Sequence, residues 1–228
     1  MPSQLPAPHI RSFHARRGRM SARATAEVER LWPRFGIDLD GQTVDLEQRF
    51  GPGVPVVLEI GSGLGEATAV MAAADPLTGI LAVDVHTPGI ARLLARIEST
   101  DLHNVRVAHG DAMELVRDQL APGSLTGVRV FFPDPWPKTA HRKRRLVRPD
   151  FVSLLVTRLR PGGFIHLATD WSDYAEQMVE VLDDEPWLEL DCDGAARRAA
   201  RPVTKFELAG LEQGHRVTDL VYRRRSTS

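Results

Sequence analysis

The residues best placed to do chemistry fall in one stretch, Phe131-Phe132-Pro133-Asp134-Pro135-Trp136-Pro137-Lys138, which runs on into His141-Arg142-Lys143-Arg144-Arg145. Each proline fixes its own φ and pushes the residue before it into an extended conformation. Asp134 therefore sits on a short, stiff tether with an indole two residues away, and a cluster of cations follows at once. The segment offers a rigid acid, an aromatic surface and a face suited to a polyanion.

Three more carboxylates are spaced to join it. Glu59 lies in Val56-Val57-Leu58-Glu59-Ile60, just before Gly61-Ser62-Gly63-Leu64-Gly65. Asp84 closes the run that starts at Gly79, and Asp111 follows Val105 to His109. A glycine turn after a first strand lets backbone approach a ligand at a helix N-terminus. The dinucleotide fingerprint places its third glycine one residue later, where this chain has Glu66. Glu59 and Glu66 would also repel a diphosphate. S-adenosylmethionine has no phosphate and carries a sulfonium and an ammonium, so the same acids favour it. Asp84 can accept two ribose hydroxyls, and Asp111 can reach an adenine amino group. For either aspartate alone, capping a helix is the more common use. Four independent caps at four successive strand ends explain the pattern less well than one site does.

These residues need a sheet to hold them. Apolar runs at Val56–Ile60, Gly79–Asp84, Val105–His109, Val128–Phe132 and Phe164–Ala168 read as strands. They alternate with helical segments at about 66–74, 88–99, 111–120, 151–160 and 172–182. The alternation predicts a mostly parallel sheet with helices on both faces, and ligands in such sheets bind at the C-terminal strand ends. Trp187 to Leu190 and Val217 to Tyr222 add two expected antiparallel edge strands, giving seven. Ser21 is placed to cap a helix over 22–32, and 36–53 reads as a turn-rich loop. The expected division is a basic arm and helix, 1–35, before a single domain, 36–228.

Net charge is −1, yet positive charge is segregated. Residues 1–26 hold Arg11, Arg16, Arg17, Arg19 and Arg23 and no acid; residues 136–148 hold Lys138, Arg142, Lys143, Arg144, Arg145 and Arg148 and no acid. Such blocks suit a polyanion bound on one face. The arm reads either as a solvated tail or as a segment that orders on RNA. Cys192 is the one cysteine, so no disulfide forms within a monomer. No secretory h-region and no bilayer-length apolar run is present, so a cytoplasmic protein without membrane attachment is expected. The eight histidines show no metal-ligand spacing, and no metal is expected.

Together these motifs resemble the bacterial tRNA (guanine-N(7)-)-methyltransferase family. The match runs over Arg11-Ser12-Phe13, the glycine loop, Asp84-Val85-His86-Thr87-Pro88-Gly89, the 132–138 and 141–146 segments, Ala168-Thr169-Asp170, and Arg201-Pro202-Val203-Thr204-Lys205-Phe206-Glu207. The proline-tryptophan and Thr-x-Phe-Glu segments carry the specificity; the glycine loop alone does not. The resemblance implies a Rossmann-like class I S-adenosylmethionine-dependent fold, and methyl transfer to N(7) of guanine 46 in the tRNA variable loop. It implies cofactor contacts from Glu59, Gly61, Gly63, Gly65, Asp84, Asp111 and Asp134, with Asp134 also catalytic. It implies substrate contacts from Lys138, Asp170, Thr204, Lys205, Phe206 and Glu207. Ala140, His141, Arg142, Lys143, Arg144 and Arg145 would meet RNA, in a monomer or homodimer. The chain departs from the family pattern at Asp84, usually glutamate, and at Ala140 and Ala209, usually arginine.

The chemistry fits the residues. Guanine N7 already has an in-plane lone pair, so no general base is needed. Positive charge moves from sulfur to purine, and the protein's task is alignment and electrostatics. Asp134 is expected to orient the base and offset the cation. The Watson–Crick edge of guanine offers N–H donors, for which Asp170 and Glu207 are the candidate acceptors. Trp136 reads as a stacking platform or as packing under the loop. The alternatives are a methyltransferase for exocyclic amines, a nicotinamide-linked oxidoreductase, and a non-catalytic RNA-binding protein on the same fold. The first usually has a second proline where Trp136 stands. The glycine spacing and intact strand-end acids argue against the others.

Overall fold

The computed structural model describes residues 12–13, 20–192, 194–212 and 214–226, and at 205, 206 and 209 the backbone only. Arg11, Arg16, Arg17 and Arg19 of the basic arm lie outside the described residues, as do the side chains of Lys205 and Phe206.

In chain order the elements are α1 (Ala22–Phe35), β1 (Gly36–Ile37), α2 (Leu46–Phe50), β2 (Val56–Ile60), α3 (Glu66–Ala74), β3 (Gly79–Asp84), α4 (Thr87–Ser99) and β4 (Val105–His109). There follow α5 (Ala112–Glu114, continued by a π-helical turn, Leu115–Gln119), β5 (Leu125–Phe131), a 3-10 turn (Thr139–Arg144), α6 (Pro149–Arg158) and β6 (Leu159–Thr169). The chain ends with α7 (Ser172–Asp183), β7 (Leu188–Leu190), α8 (Ala195–Ala200), α9 (Lys205–Glu212) and β8 (Thr218–Arg224).

Eight strands among the described residues form one sheet, ordered β1-β4-β3-β2-β5-β6-β8-β7. The pairs from β1 to β6 are parallel, and β8 runs antiparallel to both β6 and β7. The eighth strand beyond the expected seven is β1, two residues paired with β4 at the edge. A strand that short has no alternation to read. The central strands are apolar runs because both of their faces are covered; all five residues of β2 are buried. Ser21 caps α1 through Ala24 N–H, as its position predicts.

The two faces differ. Side chains at Leu58, Ile60, Leu81, Val83, Val128, Val130, Ile165 and Leu167 form a dry core with residues of α5, α6 and α7. On the other face Ile80, Ala82, Val105 and Val107 pack beneath α1, α3 and α4. Register puts Glu59, Arg129 and His166 in one row on that second face, because directly paired residues share a face. Phe131, Ala168 and Asp219 form the next row. The second face is thus apolar under α1, α3 and α4 and polar toward β5, β6 and β8. Among the described residues no helix is long and apolar enough to cross a membrane.

The chain leaves β2 toward β3 and β4, then returns to place β5 and β6 on the other side of β2. This reversal opens a crevice at the C-terminal ends of β2 and β5. Close packing at the crevice depends on Gly89 in the first turn of α4: a Cβ there would stand 2.1 Å from the Gly63 carbonyl oxygen. Gly89→Ala is expected to destabilise by about 1–3 kcal/mol and lower the thermal midpoint by roughly 2–12 °C. An unchanged midpoint in calorimetry would show that this backbone approach carries no constraint.

Candidate active site

The glycine loop leaves β2 with Gly61, Gly63 and Gly65 at φ +83°, +57° and +74°, a region that favours glycine. Asp84, at the end of β3, stitches the loop from the side. Its Oδ2 accepts Gly63 N–H at 2.7 Å and its Oδ1 accepts His86 N–H at 2.8 Å. A carboxylate has about four acceptor directions, so these bonds leave it able to accept from a sugar. Asp111 caps α5 by accepting Met113 N–H at 2.9 Å. The capping use foreseen for it is therefore present, at the mouth of the same crevice.

Glu59 is 3% exposed, and burial pushes its pKa up to about 7; the Thr68 hydroxyl and the Arg129 guanidinium pull the other way. Glu59 Oε2 and Ser62 Oγ are buried and find no hydrogen-bond partner among the described residues. Buried polar atoms without partners are destabilising and uncommon. Here both lie at the glycine loop. A buried carboxyl short of a partner beside a glycine loop fits an ammonium-bearing ligand, and S-adenosylmethionine meets that requirement.

Asp134 projects from an anchored loop. It is exposed, as is Lys138. Phe132 and Trp136, on either side of it, have φ +51° and +45°. Bulky residues in this region cost about 1–3 kcal/mol each and persist only where surroundings hold them. Phe132 N–H bonds Ala168 O at 2.8 Å, and Arg145 Nε bonds Pro135 O at 2.9 Å. Trp136 Nε1 donates to Ser12 O at 3.1 Å. The Trp136 ring is 4% exposed, with the Arg144 guanidinium 4.9 Å from its centroid and His141 edge-on at 5.9 Å. Of the two readings for Trp136, packing within the loop is what the structure shows.

The basic run divides. Ala140, Arg142, Lys143 and Arg144 are exposed and His141 is half-buried. Arg145 corrects the expectation that it meets RNA: its side chain is fully buried. Besides Pro135 O it donates to Gln177 Oε1 at 2.7 Å and to Asp173 Oδ2, and it lies 4.6 Å from the Tyr174 ring centroid. Positions three apart eclipse in a 3-10 turn. Arg142 and Arg145 consequently meet the same Asp173, the former at 3.0 Å. A linear charge run conceals that period. Arg145 ties the Asp134 loop to α7 and cannot reach a phosphate from this position.

Past β6, Asp170 Oδ2 accepts His215 Nδ1 at 3.1 Å. Thr204 starts α9 by accepting Glu207 N–H at 3.1 Å. Glu207 is 9% exposed and held by Arg201, whose Nη1 and Nη2 donate to it at 2.6 and 3.1 Å. Arg201 also donates to Asp219 at 2.8 and 2.9 Å, and His166 Nε2 donates to Asp219 at 2.8 Å. Arg201 opens the 201–207 motif but carries no sequence signal for this role, and His166, Asp219 and His215 carry no local signal at all.

The buried carboxyl gives a pH signature. In the free protein Glu59 holds its proton below about pH 7, whereas a bound ammonium favours the ionised form. Binding should therefore release a proton, and affinity should rise with pH by up to about tenfold per unit below 7, then level off. Calorimetry with S-adenosylhomocysteine in buffers of different ionisation enthalpy measures this, and Glu59→Gln should abolish the dependence. Proton uptake, or a flat wild-type profile, contradicts the assignment.

Comparison with known proteins bears on the whole chain. Residues 54–220 match the family described as "Putative methyltransferase". A tRNA (guanine-N(7)-)-methyltransferase of Streptomyces coelicolor is 56% identical over 219 residues, covering 94% of this chain and 81% of the relative. One from Nitrosospira multiformis is 49% identical over 222 residues, covering 96% and 97%. Among solved structures, the 16S rRNA methyltransferase KamB aligns with TM-score 0.59 at 15% identity over 81% of this chain and 95% of that one. The resistance methyltransferase Kmr gives 0.52 at 19% over 81% and 93%. At that identity the structural likeness speaks for the class I methyltransferase fold alone, while the sequence relatives match nearly the whole chain at about half identity: the chain belongs to the tRNA (guanine-N(7)-)-methyltransferase family.

Proposed function

We propose that this protein transfers a methyl group from S-adenosylmethionine to N(7) of guanine 46 in the variable loop of tRNA, in the cytoplasm. The observation that carries the reading is the exposed Asp134 carboxylate on a left-handed, multiply anchored loop at the β5 edge of the crevice. When bound, S-adenosylmethionine supplies an electrophilic methyl on a sulfonium. The chain's own residues do the rest. Gly61, Gly63 and Gly65 let backbone come close, Asp84 and Asp111 receive hydroxyl and amino donors, and Glu59 accepts the ammonium. Asp134 orients the base and stabilises the positive charge that grows on the purine. No side chain has to remove a proton from N7, and all of this is positional and electrostatic catalysis. Asp170 and Glu207 supply acceptors for the Watson–Crick edge, with Thr204 fixing the start of α9. Lys138, His141, Arg142, Lys143 and Arg144 form the phosphate-facing rim; Ala140 contributes no charge.

The test is single-turnover methylation of unmodified tRNA. At saturating S-adenosylmethionine, Asp134→Asn and Asp134→Ala should each lower the rate by about 10²–10³. Near-normal rates in both would remove Asp134 from the reaction.

The rim and the buried anchor are separable. Lys143→Ala combined with Arg144→Ala should weaken tRNA binding and reduce the salt slope by about two phosphate contacts. Arg145→Met should leave the slope unchanged and lower the rate by loosening the Asp134 loop. A slope that falls with Arg145→Met, or stays constant in the double variant, contradicts this division.

A further inference from the structure

We propose that Arg201 is the positioning residue that fixes the Glu207 carboxylate toward the target base, and so sets the preference for guanine over bases that lack its exocyclic amine. This rests on the reading that the chain methylates guanine in tRNA. The guanidinium is 6% exposed and lies between two carboxylates on different elements, Asp219 of β8 and Glu207 of α9. It grips each with two N–H···O bonds, four in all. Its planar fork is what makes this double grip feasible; a lysine ammonium cannot reproduce it.

Charge gives the arrangement its sense. Although burial opposes the charged form, bonds to Glu207 and Asp219 hold Arg201 protonated above its ordinary range. Burial pushes the His166 pKa down, so the imidazole donates to Asp219 as a neutral ring. Asp219 thus offsets the arginine, and the cluster keeps one net negative charge on the Glu207 side. Each Glu207 oxygen accepts from Arg201 yet retains acceptor capacity, which is what a base edge with two adjacent N–H donors requires. Without Arg201 the carboxylate would lose the two hydrogen bonds that orient it from that side.

Position supports the same role. The Arg201 guanidinium lies 5.7 Å from the Phe131 ring centroid and 5.5 Å from that of Phe132. These residues end β5 and begin the Asp134 loop. One side chain therefore braces both the base-reading helix and the root of the reacting loop, so orientation of the base edge and of N7 are set from a single point.

The experiment uses the full chain and two ligated tRNAs, with guanosine or inosine at the target position. Inosine keeps N7 and N1–H and lacks the 2-amino group. Wild type should favour guanosine in kcat/KM by about 10- to 100-fold, the effect of one hydrogen bond to a charged acceptor. Arg201→Lys and Arg201→Met should reduce the ratio to about threefold or less, mainly through a higher KM for guanosine tRNA, with S-adenosylhomocysteine affinity intact. Glu207→Gln should collapse the same ratio. If Arg201→Met does not fold, Arg201→Lys, which keeps the charge, carries the test. Equal losses on both tRNAs would make Arg201 merely structural and overturn the proposal, as would an unchanged ratio. A wild type that leaves guanosine tRNA unmethylated would instead overturn the function itself, and this inference with it.

Discussion

The reversal of strand order between β2 and β5 is the constraint on which the molecule depends. Successive strands step outward from β2 through β3 to β4, and the chain must then return to lay β5 on the opposite side. Connections on the two sides diverge, which leaves a crevice at the C-terminal ends of the central strands. Every loop that carries a candidate acid leaves the sheet at this edge. The apolar rows beneath α1, α3 and α4 and beneath α5, α6 and α7 provide the driving force for the sheet. The polar row of Glu59, Arg129 and His166 is a departure from that pattern. Burying charges is unfavourable unless they are paired, and here pairing is extensive on the side of β8 and α9. At Glu59 it is incomplete among the described residues, which is where a charged ligand has most to offer.

Strain and anchoring go together at the Asp134 loop. Two large residues hold left-handed backbone, and three contacts from separate parts of the chain keep them there: Ala168 in β6, Arg145 after the 3-10 turn, and Ser12 in the N-terminal arm. Arg145 gives up hydration entirely, and its bonds to Pro135, Asp173 and Gln177 offset that loss. A carboxylate meant only for solubility would need none of this. The loop is stiff at its root and open at its tip, the combination that electrostatic preorganisation calls for.

Much of this could be read from residue order. Parallel strands buried on both faces leave apolar runs, so β2 to β6 announced themselves, and the acids at their ends followed. The glycine spacing and the Thr-x-Phe-Glu segment pointed to the same crevice. What escaped did so for physical reasons. β1 is too short to show alternation, and α8 and α9 are short helices in a segment read by motif rather than by periodicity. Arg145 looked like its neighbours because nothing in a run of cations marks which one turns inward to Pro135, Asp173 and Gln177. The Arg201 cluster joins residues 166, 201, 207 and 219, contacts that only the folded sheet brings together. Asp84 and Asp111 each make the backbone bonds of a local clasp or cap at the C-terminal end of a strand, the edge at which ligands of such sheets bind.

The most direct measurement is to incubate the protein with unmodified tRNA and methyl-labelled S-adenosylmethionine, digest the product and identify the labelled nucleoside and its position. The account predicts 7-methylguanosine at one variable-loop guanine and no label elsewhere. Label on an exocyclic amine, or a tRNA left unlabelled by folded protein that binds S-adenosylhomocysteine, would contradict it.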